Sequence, residues 1–357
     1  MRTPEPFEIG GRPIARGVRP LFLPDIGTFF NRDIHLAISM IDAIADAGLS
    51  LIKGEILQDP EVCLQGDLVE NYLSSDRTTI LAENYRSLIE RKIVPLADYT
   101  KIFDHCSRRK MGFILSIYDF EGAKFAKGIG AVALKISSSN ITHYPLITYV
   151  AGLGLPIILD TGHSTLAEAA RAVAWCLAGG ESRIIVEHSP PAPPNSVERH
   201  NLMFMNSLAT RCNTFVGLSD HHLGTDMLLA AIPMGALILE KGVAPDASQD
   251  EQDLEHALPL SAISSTMKSI EDVHSAIGDG ADRDMSGKPQ YKSRMGLVAS
   301  KDLGAGAKLS LETVRFAFPA VGVPAEFWPD VEGRTVVKHI NSGAPISWSE
   351  IHATRSE

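Results

Sequence analysis

Between residues 19 and 243 the chain repeats one pattern: a short aliphatic or β-branched run, one or more polar residues at its end, then a segment with helical spacing of apolar positions. The pattern occurs eight times, with apolar runs RPLFLPDIG, LSLIKGEI, MGFILSIYD, AVALKISSS, LPIILDTGH, SRIIVEHS, NTFVGLSDHH and ALILEKGV. Helical spacing follows in stretches such as RDIHLAISMIDAIADAG, LADYTKIFDHCSRRK, TLAEAARAVAWCLAGG and TDMLLAAIPMG, and LSAISSTMKSIEDVHSAIG closes the set. Runs this continuously apolar suit parallel strands buried on both faces. Eight strand-then-helix units predict a (β/α)8, or TIM, barrel.

In such a barrel the active site lies at the C-terminal ends of the strands, so the residues ending each run become the candidates. They are Asp25, Lys53 and Glu55, Ser116 and Tyr118, Lys135 and Ser138, Asp160 and His163, Glu187 and His188, Ser219 through His222, and Glu240 with Lys241. Glu240 and Lys241 are both expected to face the mouth. The stretch from about Gln58 to Pro95 interrupts the rhythm, and excursions of that length are often lids or substrate loops. After Gly278 the text turns to GDGADRDMSGKPQYKS, without apolar period, which reads as a linker. The expected organisation is a barrel over 1–278, a linker over 279–292, and a compact domain of short strands and irregular structure over 293–357.

Charge narrows the partners. Lys plus Arg number 33 against 43 Asp plus Glu, a formal charge of -10, so no broad positive field exists for nucleic acid or anionic lipid. Any anionic ligand must be met by local cations. The four cysteines, Cys63, Cys106, Cys176 and Cys212, form no Cys-x-x-Cys pair and read as reduced thiols. The N-terminus MRTPEPFEIGGRP lacks an apolar signal core, and no run approaches the roughly 18 apolar residues of a membrane span, so the expected location is the cytoplasm.

Several stretches, in order along nearly the whole chain, resemble the sialic acid synthase family, which condenses phosphoenolpyruvate with a sugar aldehyde. KISSSNITHYPLI is similar to the family's strand-four motif, PIILDTGHSTLAEAARAV to its strand-five segment and helix, VGLSDHHLG to its Gly-x-Ser-Asp-His-Thr-x-Gly, and GALILEKG to its Gly-Ala-x-x-x-Glu-Lys-His. The C-terminal piece resembles the family's antifreeze-like (SAF) domain. The resemblance implies that Lys53, Lys135, Ser138 and Ser219 hold the phosphate and carboxylate of phosphoenolpyruvate, a task suited to ammonium and hydroxyl donors. It implies that Asp25 and Asp253 serve a polyhydroxylated ligand, and that a divalent metal (Mn or Mg), with His221 as one ligand, polarises the aldehyde. It also implies a homodimer in which each small domain caps the partner's barrel.

The departures are specific. The family's second metal-binding histidine falls on Gly242, so a rearranged site would draw on His163, His222, Glu240, Asp246, Asp253 or His256. On the sugar side the family's Asn and Tyr after strand six become Pro191 and Pro193 in HSPPAPP, its Lys-Phe-Gln becomes KGE with Glu55, and its Arg-Pro-Gly becomes Phe318-Pro319-Ala320. On the phosphate side a serine becomes Asp160, whose carboxylate would repel phosphate unless protonated or bound to a cation.

Each candidate also has a plain structural reading. His188 could be a buried imidazole donating to a nearby carbonyl. Glu240 and Lys241 could be a local ion pair, and DASQDEQDLEH a solvated loop. His35, His105, His200, His274, His339 and His352 read as surface or packing residues. Three functions remain open: a phosphoenolpyruvate-dependent synthase of a 2-keto-3-deoxy, nonulosonic-type acid; a barrel enzyme of changed reaction (metal-dependent aldolase, isomerase or hydrolase) using Asp160, His163, His221 and Glu240; and a sugar-binding relative without turnover.

Overall fold

The computed structural model describes residues 4–74, 76, 78–162, 164–190, 197–245, 254–281 and 290–352. His163, Asp246 and Asp253, all raised above as candidates, lie outside the described residues. The chain divides into two compact units, 1–278 and 279–357.

The first unit is a closed parallel barrel. Its strands are β1 (Leu21–Asp25), β2 (Leu51–Ile56), β3 (Gly112–Ile117), β4 (Ala133–Ile136), β5 (Ile157–Asp160), β6 (Ile184–His188), β7 (Phe215–Asp220) and β8 (Ala236–Ala244). Each pairs with its neighbour in sequence order, and β8 closes the ring by pairing with β1 from Ile238↔Leu21 to Gly242↔Asp25. The helices between them start where the sequence supplies caps. The Asp33 carboxylate accepts from the backbone N–H groups of His35 and Leu36 before α1 (Ile34–Asp46), and Thr165 with Glu168 forms a capping box before Leu166–Ala178.

Because successive strand residues point to opposite faces, each barrel strand carries two rows. The outward row, with Phe113, Leu134, Leu159, Val186 and Leu239, packs against the helices in the main core. The inward row begins apolar: Leu23, Leu51, Ile114, Ala133, Ile158, Ile185 and Ile238 fill the lower barrel as one cluster. An antiparallel ribbon, Phe7–Ile9 with Arg12–Ile14, adds Ile9 and Ile14 to that cluster, both 1% exposed.

The excursion after β2 is more ordered than a structureless lid. It forms an antiparallel hairpin, Val69–Leu73 with Ile80–Asn84, and the helix Tyr85–Lys92, capped by the Asn84 side chain. Among the described residues no helix is long and apolar enough to cross a membrane. The four cysteines are buried free thiols. The second unit has its own core, including Leu297, Leu309, Val314, Val336 and Ile346, around the antiparallel pair Gly296–Ala299 and Val314–Ala317.

Candidate active site

The inward rows turn polar two residues above the apolar plug. Leu23 is followed at the next inward place by Asp25, Leu51 by Lys53, Ile114 by Ser116, Ala133 by Lys135, Ile158 by Asp160, Ile185 by Glu187 and Ile238 by Glu240. On β7 the inward places are Phe215, Gly217 and Ser219. Eight strands therefore deliver a ring of ionisable and hydroxyl groups at one height, the floor of a cavity of about 800 Å³.

Lys135 lies at the centre of the floor and is 2% exposed. Its Nζ is 2.6 Å from Glu240 Oε1, 2.9 Å from Asp160 Oδ2, 2.9 Å from Glu187 Oε2 and 3.3 Å from Ser219 Oγ. Burial alone would lower the ammonium's pKa, but the three carboxylates outweigh burial and raise it well above the usual lysine value. The acids divide the remaining charge. Burial and the neighbouring Glu240 push the Glu187 carboxyl up to about 8 against the pull of Lys135, while Lys135 and Lys53 overcome the burial of Glu240 and bring it down to about 2. The surroundings therefore favour the protonated form at Glu187 and the ionised form at Glu240. Glu187 has room because Gly217 stands opposite, where a Cβ would lie 3.0 Å from the Glu187 Cγ.

Lys53 forms a second node. Its Nζ donates to Asp25 Oδ2 at 2.6 Å and to Glu55 Oε1 at 3.4 Å, and lies 3.5 Å from Glu240 Oε1. The Tyr118 hydroxyl donates to the other Glu55 oxygen at 3.0 Å. Glu240 thus links the two ammonium groups. Around Gly162, the hydroxyls of Ser138 and Ser189 come within 3.2 and 3.3 Å of where a Cβ would stand, so the missing side chain lets two donors converge at the cavity wall.

Two predicted residues are engaged elsewhere, although Lys241 still contributes to the cavity lining. Adjacent strand positions cannot both point inward, so Glu240 enters the barrel while Lys241 lies on the opposite row, 0% exposed. The Lys241 ammonium donates to Asp220 Oδ2 at 2.9 Å and to the His222 carbonyl, directly across the β7–β8 ladder where Asp220 pairs with Lys241. The Nε2–H of His188 donates to the His200 carbonyl at 2.6 Å, tying the loop after β6 to its strand. The cavity wall there is Ser189 and Pro190.

At the rim, His221 lines the cavity with Nδ1 3.2 Å from Ser189 Oγ, and its ring centre is 4.8 Å from that of His256. The cluster able to hold a metal ion among the described residues is Asp160, Glu187 and Glu240, so Glu240 groups with two buried carboxylates, His221 lying outside that cluster. The excursion read as a lid or substrate loop does line the cavity, through Glu70 and Tyr72 of the hairpin and Tyr85 and Lys92 of the helix after it, residues that sequence reasoning did not single out. Nothing in their local pattern sets them apart, since the hairpin folds back over the mouth only in three dimensions.

Residues 40–282 match the NeuB family, and residues 294–352 the SAF domain. The N,N'-diacetyllegionaminic acid synthase of Campylobacter jejuni is 27% identical over 338 residues, covering 90% of this chain and 97% of that protein. The pseudaminic acid synthase of Helicobacter pylori is 23% identical over 335 residues, covering 93% and 98%. Among solved structures, the N-acetylneuraminic acid synthetase of Leptospira borgpetersenii aligns with a TM-score of 0.67 at 22% identity, covering 81% of this chain and 96% of that one. A truncated 3-deoxy-D-arabino-heptulosonate 7-phosphate synthase of Thermotoga maritima aligns with a TM-score of 0.56 at 12% identity, covering 77% and 94%. These structural likenesses are likenesses of fold.

Proposed function

The chain belongs to the NeuB family and carries a SAF domain, and from that premise we propose that it condenses phosphoenolpyruvate with a sugar-like aldehyde, giving a 2-keto-3-deoxy acid of the nonulosonic type and phosphate in carbohydrate biosynthesis. The observation carrying this reading is the pair of buried ammonium groups, Lys53 and Lys135, joined by Glu240 on the floor of one cavity. An anion with two acidic ends needs two such cations at fixed separation.

In this reading Lys53 and Lys135, with Ser138 and Ser219, bind the carboxylate and phosphate. The enol carbon forms the new bond to the aldehyde carbon, whose oxygen gains a proton. Positive charge then develops at the phosphate-bearing carbon, and the ionised Glu240 between the two ammonium groups stabilises it. Water adds there, losing a proton, and the carbon–oxygen bond to phosphate breaks. Asp25, Glu55 and Asp253 hold acceptor hydroxyls, while Lys241 and His188 keep β7, β8 and the β6 loop in place. Donors for a divalent metal, Mn or Mg, are present in His221 and in the carboxylates of Asp160, Glu187 and Glu240, where Glu187 Oε1 and Glu240 Oε2 are buried without a hydrogen-bond partner. Such an ion supplies Lewis-acid polarisation of the aldehyde.

The same reading takes the protein as a cytoplasmic homodimer with the SAF domain over the partner's barrel, divided as 1–278, 279–292 and 293–357. Incubation with phosphoenolpyruvate, Mn or Mg and a panel of aldoses is expected to release phosphate, about a thousandfold less with K135M. Absence of release with every aldose overturns the reading. One observation favours a second: Asp160 crowds Lys135 with a carboxylate that opposes a phosphate. Stoichiometric metal binding without phosphoenolpyruvate binding selects a metal-dependent aldolase, isomerase or hydrolase. Ligand binding without turnover selects a non-catalytic sugar-binding relative.

A further inference from the structure

We propose that His256 stands in for the missing side chain at position 242 and, with His221, forms a two-histidine site for a divalent transition metal at the cavity rim. The proposal extends the reading above by locating its metal, and it rests on that reading only for the expectation that a metal belongs at the mouth.

Gly242 is the inward place on β8 directly above Glu240. A side chain there is crowded: its Cβ would stand 3.1 Å from Cε2 and 3.4 Å from Cζ of Phe29, on the turn after β1, and 3.8 Å from the Ala257 Cβ. No imidazole can grow from that backbone unless Phe29 moves. The chain reaches the same rim by another route. After β8, Leu258–Pro259 returns to pair in parallel with Val243 and Ala244, and this pairing lays the preceding short turn, Leu254–His256, alongside the end of β8. His256 arrives 4% exposed, lining the cavity, with its ring edge-to-face against His221 at 4.8 Å and 77°.

Both imidazoles have supporting groups. Ser189 Oγ lies 3.2 Å from Nδ1 of His221, and in the tautomer where Nδ1 donates to it, Nε2 carries the lone pair a metal needs. Glu255 Oε1, on a side chain that is also buried, lies 3.7 Å from Nδ1 of His256, beyond hydrogen-bond distance, and adds negative charge beside that ring. Ring centres 4.8 Å apart are close enough for one nitrogen of each ring to meet a shared ion at bond lengths of about 2.1 Å. Imidazole pairs select transition ions over Mg, whose preference is for oxygen. The carboxylate group of Asp160, Glu187 and Glu240 is the rival site, but an ammonium, that of Lys135, lies among its oxygens.

The test uses the full chain stripped of metal by a chelator and titrated with Co(II), without phosphoenolpyruvate or aldehyde. Visible absorption reports histidine coordination, and calorimetry reports affinity. One equivalent is expected to bind. H221A and H256Q should each weaken it at least about tenfold with melting temperatures within a few degrees of the parent's, while H222A binds as the parent does. Undiminished binding in H256Q, loss in D160N with retention in H256Q, or no binding by the parent overturns the proposal. Because turnover plays no part, Co(II) bound through His256 in a protein that releases no phosphate sinks the synthase reading alone. Phosphate release with no contribution from His256 to Co(II) affinity sinks this proposal alone.

Discussion

Two lysines are sealed in this barrel, Lys241 on β8 and Lys135 on β4. Lys241, behind the β7–β8 seam, meets one carboxylate, Asp220, and one carbonyl, and burial lowers its pKa in spite of Asp220. Lys135, inside the barrel, meets three carboxylates, which raise its pKa. The seam is charge-balanced and complete. The floor holds more acid than base and keeps a proton on Glu187 to remain tolerable. A balanced buried pair needs nothing further, whereas a floor with excess acid is poised to take up a proton or a cation, and this separates structural from chemical use of the same side chain.

The sharpest way to break that contrast is to remove each ammonium. K241M leaves the buried Asp220 carboxylate without its ion-pair partner, and urea unfolding should show a loss of about 3–5 kcal/mol, largely restored in D220N/K241M. K135M should lose less stability, because carboxylates that already share a proton can take another. Equal losses would erase the distinction. A smaller effect is expected from G217A, whose new methyl meets the Glu187 Cγ and the Ile238 carbonyl, both at 3.0 Å: about 1–3 kcal/mol by the same measurement. A substitution as stable as the parent would mean that the Glu187 side chain is less tightly held than described.

The last test is graded by pH. The Glu187 pKa rises from 4.5 unfolded to about 8 folded, so between these values the folded state binds more protons and this group's stabilisation falls as pH rises. Removing the titration with E187Q should flatten that decline, so the variant gains on the parent between about pH 4.5 and 8. A constant difference across this window would place the floor's proton on another group.

The barrel was legible because parallel strands buried on both sides are written as unbroken apolar runs, and the charged floor because each run carries its ionisable residue near its end. Lys53, Lys135 and Glu240 could be identified as candidates from that alone. Direction was harder. Lys241 follows Glu240 by one residue, and the alternation of side chains, available from the sequence, sends the two to opposite rows. His188 carries the same parity lesson, pairing with the His200 carbonyl as its plain structural reading anticipated. The walls contributed by the hairpin after β2, and the approach of His256 to His221, depend on chain returns that no local pattern encodes.

The ribbon Phe7–Ile14 has a kinetic consequence. With Ile9 and Ile14 sealed into the apolar plug and the Phe7 ring 6.0 Å from Phe215, packed side chains close the barrel at the end away from the ammonium floor. Whatever settles at the ammonium floor must enter before anything that sits above it, and it can depart only after its overlying companion has gone. An order of first in and last out is therefore favoured in this molecule by the eight residues Phe7–Ile14 at the end opposite the chemistry.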